Sequence, residues 1–277
     1  MIYIFIAIGS VILLTAAAIF CVAPGKISPE AKKTAEIFKG LNCAHRGLHT
    51  EDQHIPENSI SAFKAAREGE YGVELDVQLS KDGKVIVFHD NDLKRVCGID
   101  AQVNSKDWEE LSELPLFDTK ELIPLFTDVL DVLNDTPVIV ELKAAGKNNA
   151  RLCEETLKIL RSQGKNWCVE SFDPRIVAWF KKNAPDVLRG QLSNPPGDMK
   201  GISAVSKLLL GYVLLNFISR PHFLAYSNSP HPLTVKLCRA MKPINVIWTV
   251  HPAHDIKKCE NKNDTIIFEY YKPAPKF

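Results

Sequence analysis

Charge is missing from the first 23 residues of this 277-residue chain: Met1 to Ala23 hold no Asp, Glu, Lys or Arg. As a helix such a run reaches about 34 Å at ~1.5 Å per residue, enough to cross a hydrocarbon core of roughly 30 Å. A surplus of either sign is missing too. The 34 Lys and Arg against 33 Asp and Glu leave a net charge of +1, so no nucleic-acid partner is expected. Paired cysteine spacing is also lacking. The seven cysteines, Cys21, Cys43, Cys97, Cys153, Cys168, Cys238 and Cys259, are odd in number and contain no CxxC. That excludes a disulfide framework and a zinc site, and it fits reduced, mostly buried thiols in a reducing compartment. No internal repeat or low-complexity tract appears.

What is present is ordinary globular material, 45% hydrophobic and 24% charged, enough for one barrel-sized domain or two small ones. The apolar start reads as an uncleaved anchor. A signal peptide should open with positive residues and carry a shorter apolar core, and Phe20 is too bulky to precede a lipid-attachment cysteine. Residues 1–24 are therefore expected to be a single membrane span, 25–39 a linker and 40–277 the globular domain. Lys26, Lys32, Lys33 and Lys39 follow the span, which by the positive-inside rule places that domain on the cytoplasmic side of the cell membrane.

From residue 40 onward short apolar runs alternate with helical patterns. Strands are expected at Asn42–His45, Gly72–Val77, Lys84–His89, Pro137–Lys143, Asn166–Phe172, Val187–Leu192, Phe223–Ser227 and Val246–Val250. Most are continuously apolar, as for strands covered on both faces. Helices are expected at Asn58–Glu68, Leu122–Leu133, Asn148–Ser162, Pro174–Asn183 and Pro232–Met241. Eight strands with intervening helices fit an α/β (β/α)8 TIM barrel, with a doubly wound open sheet as the alternative. Asn91–Glu121 is a polar insertion after the third strand. Leu208–Ile218 is apolar but too short to span a bilayer, and reads either as an interfacial membrane contact or as a core helix.

Alternate residues of a strand share a face, so Glu74 and Asp76 point one way from Glu74-Leu-Asp76, and Glu141 and Lys143 from Glu141-Leu-Lys143. Carboxylates converging inside a barrel need a counter-ion: a hard divalent cation, or a salt-bridge layer such as Glu141 with Arg46. His45, Glu74, Asp76, His89, Glu141 and Lys143 all fall at the C-terminal ends of expected strands, the face where barrel enzymes place catalytic groups. Asp76 and His89 must then share that rim, yet Val77–Gly83 spans only about 23 Å fully extended. That is too short for a helical crossover, which predicts a tight turn at Lys81-Asp-Gly83 and an irregular second β/α unit lacking its helix.

The blocks His45-Arg-Gly47, Pro56-Glu-Asn58, Glu74-Leu-Asp-Val77, Lys81-Asp-Gly83, His89-Asp90, Ile123-Pro124, Glu141-Leu-Lys143, Ser171-Phe172 and Trp248-Thr-Val250 together resemble the glycerophosphodiester phosphodiesterase family, over roughly residues 40 to 252. The resemblance implies metal-dependent hydrolysis of glycerophosphodiesters to sn-glycerol 3-phosphate and an alcohol. By motif, Glu74, Asp76 and Glu141 would hold Mg²⁺ or Ca²⁺, and His45 and His89 would be the acid/base pair. Arg46 and Lys143 would bind phosphate, Glu57 and Asn58 would support the site, and Trp248 would line the substrate cleft. Which histidine is the acid stays open, as does the nucleophile: water or a neighbouring glycerol hydroxyl. The chain departs from the family pattern at Thr265–Pro273, where Thr-Asp-x-Pro is usual, and at His251, where Asn is frequent. A lipid-directed phosphodiesterase acting on lysophospholipid or lipid-linked glycerophosphate is the alternative function. A silent membrane-tethered binding protein fits less well, since every expected position is filled. Oligomeric state is not legible.

Overall fold

The structure, a computed structural model, describes residues 2–144, 148–164 and 166–277. The uncharged run forms α1 (Ile2–Val22), exposed along nearly all its length. The expected linker interval contains a helix, α2 (Pro29–Phe38). Ser28 caps it, with Oγ accepting from the Ala31 amide at 3.1 Å, and Pro29 occupies its first turn, where a missing N–H costs nothing.

The chain continues through β1 (Leu41–His45), α3 (Ile60–Glu68), β2 (Gly72–Leu79) and β3 (Val85–Val87). Two short helices follow in the insertion, α4 (Lys94–Cys97) and α5 (Trp108–Leu111), then α6 (Phe126–Leu133), β4 (Val138–Leu142) and α7 (Asn149–Gln163). Next come β5 (Trp167–Ser171), α8 (Pro174–Asn183), β6 (Arg189–Ser193), α9 (Ala204–Gly211) and α10 (Asn216–Ser219). The last elements are β7 (Phe223–Ser227), α11 (Leu233–Ala240), β8 (Ile244–Val250), α12 (Ile256–Lys262) and β9 (Thr265–Phe268).

Eight strands pair in parallel in the order β1, β2, β4, β5, β6, β7, β8, β9, and β9 returns to β1, which closes a (β/α)8 barrel. The membership differs from expectation in one place. Lys84–His89 does not climb the barrel: β3 runs antiparallel to Val77–Leu79 of β2. The eight-residue β2 overshoots the rim, and the chain reverses at the expected turn, where the Gly83 amide donates to the Ser80 carbonyl at 3.0 Å with φ +90°. His89 therefore reaches the rim by descending onto it, the Phe88 amide donating to the Asp76 carbonyl at 3.0 Å. With β3 outside the barrel, α6 serves as the helix before β4, so the second unit is interrupted by an insertion rather than stripped of its helix. Thr265–Phe268 takes the vacated place as the eighth barrel strand.

Apolar side chains on the outward strand faces, such as Val73, Leu75, Val140 and Val169, pack against Phe63, Phe126, Leu160 and Phe180 from the helices. Inside, Cys43, Ile139, Cys168, Leu188, Phe223 and Val246 fill the lower barrel, and Ala31 and Phe38 of α2 join that cluster. Thr265 Oγ1 donates to the Phe38 carbonyl at 2.8 Å, fixing α2 across the end opposite the rim. The insertion has its own small core of Phe88, Leu93, Val96, Leu111 and Leu116. In Leu208–Ile218, Val213 is buried with Leu224 and Tyr226, as a core segment would be, while Leu208, Phe217 and Ile218 are exposed. All seven cysteines are free thiols.

The closing strand is testable through Phe268, which is 1% exposed and has its ring 4.9 Å from Tyr71 and 5.3 Å from Tyr271. Phe268→Ala should destabilise the fold by about 3–5 kcal/mol in denaturant titrations. A change under about 1 kcal/mol, the range of tolerated swaps, would remove β9 from the barrel core.

Candidate active site

The rim is built from short strand ends. β1 finishes at His45, and the chain then turns through Arg46 (φ 53°) and Gly47 (φ 79°). A Cβ at Gly47 would lie 2.9 Å from both the carbonyl carbon and the Cβ of Ala62, so only glycine lets this turn press against α3. The turn aims the Arg46 amide at Glu74 Oε2 (3.2 Å) and its guanidinium at Glu57 Oε1 (2.8 Å) and Asp76 Oδ2 (3.6 Å).

Glu74 and Asp76 leave β2 toward the barrel interior, and strand register sets Asp76 beside Glu141 of β4. Glu74, Asp76 and Glu141 are buried and offer carboxylate oxygens within 4.8 Å of one another. Lys143 Nζ bridges Asp76 Oδ1 (3.1 Å) and Glu141 Oε1 (2.9 Å), and Asn58 Nδ2 donates to Asp76 Oδ2 at 2.9 Å. The expected pair of Glu141 with Arg46 does not form as a salt bridge among the described residues; Lys143 takes that place.

A further acid lies in the same layer. Register places Glu170 of β5 next to Glu141. It is 1% exposed, and neither carboxylate oxygen has a hydrogen-bond partner among the described residues. Four inward carboxylates thus face the two fixed cations Arg46 and Lys143. Burial, then repulsion from Asp76, Glu141 and Glu170, pushes Glu74 well above the ordinary carboxylate range. Burial and the charges of Glu141 and Asp76 do the same to Glu170. Glu141 is raised to about 7 by burial, against the pull of Lys143. Asp76 goes the other way: against its burial penalty, Lys143, His89 and Arg46 hold it well below the usual range. The unpartnered oxygens and the unbalanced charge fit a divalent cation with all-oxygen ligands.

The two histidines are held alike. His45 Nδ1 is 3.1 Å from Glu269 Oε1, and His89 Nδ1 is 2.6 Å from Asp90 Oδ1. A carboxylate at Nδ1 keeps the proton there and leaves Nε2 free to exchange one. Burial, then the Arg46 charge, lowers His45 to about 4, and burial likewise lowers His89. His45, Arg46, Glu74, His89, Glu141 and Glu170 line a cavity of about 130 Å³, walled by Phe172, Leu192, Trp248 and Ile267. Trp248 meets Phe172 edge-on at 5.5 Å and donates from Nε1 to the Ala225 carbonyl at 3.2 Å.

Every residue expected at the site is in this neighbourhood. Sequence patterns missed Glu170, Glu269 and the chain of pairs behind Arg46. Arg95 of α4 binds Glu57 through Nη2 and Oε1 (2.6 Å) and Asp90 through Nε and Oδ2 (2.7 Å), so the insertion braces both His89 and Arg46. Glu269 also receives His49 Nε2 at 2.9 Å. The available signals were a single acid interrupting the apolar run Trp167–Ser171 and an acid closing Thr265–Phe268.

A closed parallel barrel gathering carboxylates, histidines and fixed cations on its C-terminal rim is an enzyme scaffold for charge-stabilised chemistry. Residues 45–270 match the model of the glycerophosphoryl diester phosphodiesterase family. A glycerophosphodiester phosphodiesterase of Caldanaerobacter subterraneus is 33% identical over 166 residues, 56% of this chain and 67% of that one. A mouse lysophospholipase D is 29% identical over 203 residues, 68% of this chain and 57% of that one. Among solved structures, a glycerophosphodiester phosphodiesterase from Thermotoga maritima superposes with a TM-score of 0.63 at 25% identity, covering 83% of this chain and 94% of that one. An Oleispira antarctica phosphodiesterase, solved with sn-glycerol 3-phosphate, has a TM-score of 0.68 at 21% identity, covering 85% and 95%. The chain belongs to the glycerophosphoryl diester phosphodiesterase family.

Glu170 yields a test that needs no substrate. In chelator, Glu170→Leu removes a buried, unpartnered carboxyl and should raise stability by ~1–3 kcal/mol in denaturant titrations. Loss of stability by a similar amount would show that the carboxyl has a partner in solution.

Proposed function

We propose that this chain hydrolyses glycerophosphodiesters to sn-glycerol 3-phosphate and an alcohol. The observation that carries the reading is the pairing of two carboxylate-held histidines with Arg46 and Lys143 around one small, acid-floored cavity. A phosphodiester anion repels nucleophiles, so its approach requires fixed positive charge. Arg46 and Lys143 supply it, and Glu57 and Asn58 hold Arg46 and Asp76 in place. His45 and His89 exchange protons through Nε2, one taking a proton from the attacking oxygen and the other giving one to the leaving alkoxide. The ring that gives must enter the reaction protonated at Nε2 and the ring that takes must enter neutral; burial lowers the pKa of both and so favours the neutral form. Trp248 and Phe172 form the apolar wall against which the non-reacting part of the substrate rests.

Glu74, Asp76 and Glu141 would hold the divalent cation, Mg²⁺ or Ca²⁺, which when bound supplies Lewis-acid stabilisation of charge on phosphoryl oxygen. Residues 1–24 act in this reading as a membrane span and 40–277 as the barrel domain, on the cytoplasmic side. The span is supported by α1, with 20 residues of mean hydropathy 2.7, and the side by the lysines Lys26, Lys32, Lys33 and Lys39 that follow it. A lysophospholipid is the second candidate substrate, favoured by the pairing of that helix with the barrel and by the relative named as a lysophospholipase D.

The full chain in detergent should release glycerol 3-phosphate from glycerophosphocholine with Mg²⁺ or Ca²⁺ and not in chelator. His45→Ala should lower kcat by ~10²–10⁴-fold. The metal should also raise unfolding stability by about 2.7 kcal/mol at a hundred times its Kd. Metal-induced stabilisation without turnover of glycerophosphocholine would move the assignment to the lipid substrate. Absence of both would overturn the metal reading.

A further inference from the structure

α1 is joined to the barrel without a free tether. Val22 is fully buried among Val213, Leu224, Tyr226, Val235 and Cys238. Asn216 Nδ2 donates to the Val22 carbonyl at 3.1 Å, and Arg220 Nη1 donates to the carbonyls of Phe20 (3.0 Å) and Ala23 (2.9 Å). These bonds satisfy carbonyls that a helix end otherwise leaves open. The Arg220 guanidinium also sits 4.7 Å from the Phe20 ring centroid, and Phe20 lies 5.8 Å from Phe217. Beyond the helix the Gly25 amide donates to the Pro221 carbonyl at 2.8 Å, where a Cβ would lie 2.3 Å from the Arg220 carbonyl oxygen. The seat therefore fixes where the barrel stands relative to the point at which α1 leaves it.

The exposed apolar side chains are not scattered. Outside α1, and among the described residues, the large ones are Ile202, Val205, Leu208, Phe217, Ile218 and Leu233, with only Leu122, Tyr270 and Phe277 elsewhere. Leu233 is 81% exposed and Val205 66%. Topology places them in one sector. Ile202, Val205 and Leu208 follow the rim end of β6, Phe217 and Ile218 precede the lower end of β7, and Leu233 follows its rim end. They mark a flank that starts at the rim and ends at the seat of α1, where Phe217 touches Phe20. Clustered exposed apolar surface marks a partner or a membrane, and contact with the apolar helix favours the membrane.

We propose that the flank from Ile202 to Leu233 lies against the bilayer that α1 enters, so that the rim opens beside the lipid headgroups. The proposal rests on reading α1 as a retained span. It assigns the bilayer contact to Val205, Leu208, Phe217, Ile218 and Leu233, and excludes Val213, which faces the core. Amphipathic surfaces of this kind bury their apolar side chains at the boundary of headgroups and acyl chains.

The experiment uses the full chain reconstituted in phosphatidylcholine–phosphatidylglycerol vesicles with brominated acyl chains, reading tryptophan emission above the wild-type background. Val205→Trp, Leu208→Trp and Leu233→Trp should each add blue-shifted emission that bromine quenches. Leu122→Trp, on the insertion side, should add emission that bromine leaves alone. Quenching in the three flank variants no greater than in Leu122→Trp, in protein that still resists alkaline carbonate extraction, would overturn the flank and leave the anchor standing. Protein that carbonate strips from the vesicles would overturn the anchor, and the flank with it.

Discussion

Mutual repulsion among four carboxylates inside a barrel is the constraint around which this molecule is arranged. Strand geometry imposes it: a period of two sends Glu74 and Asp76 inward together, and parallel register lines Asp76, Glu141 and Glu170 side by side. Such groups cannot be buried charged without compensation. Lys143 rises from the same face as Glu141 and bridges two of them. Arg46 arrives from a left-handed turn that exists because Gly47 lets β1 close against α3. Even the insertion serves this end, since its small core holds Arg95 where it locks Glu57 and Asp90, and through them Arg46 and His89.

Much of the site was legible because its residues obey local rules. Glu74, Asp76, Glu141 and Lys143 announce themselves by alternation within apolar strands, and His45 by position at a strand end. Glu170 obeys the same alternation, but a single acid in Trp167–Ser171 looks like part of an apolar run until its neighbour Glu141 is known. Barrel membership was harder. Hydrophobic runs mark strands without their direction, so Lys84–His89 counted as a climbing strand and filled the eighth place. The true eighth strand is four residues long, and Glu269 had no visible partner because His45 and His49 lie more than two hundred positions away. The departure from the family's closing block thus falls where Glu269 contacts the histidine of β1.

The fold separates two kinds of apolar packing. The cluster between strands and helices holds the barrel together, while the cluster inside it fills the lower half and reaches up as one apolar wall of the charged cavity. Leu208–Ile218 shows the same division on a smaller scale. Val213 and Tyr226 belong to the protein's interior, whereas Leu208 and Phe217 are turned away from it, so one apolar stretch serves two surroundings.

The side chains that fill the lower barrel make the interior a cup rather than a tube, and the helix across its lower end covers them from below. Phe38 and Ala31 pack beneath that floor, and the Phe38 carbonyl is bonded to the last strand. Whatever comes into the cavity leaves by the way it came. Hydrolysis there, as proposed above, would send both products out through that one mouth.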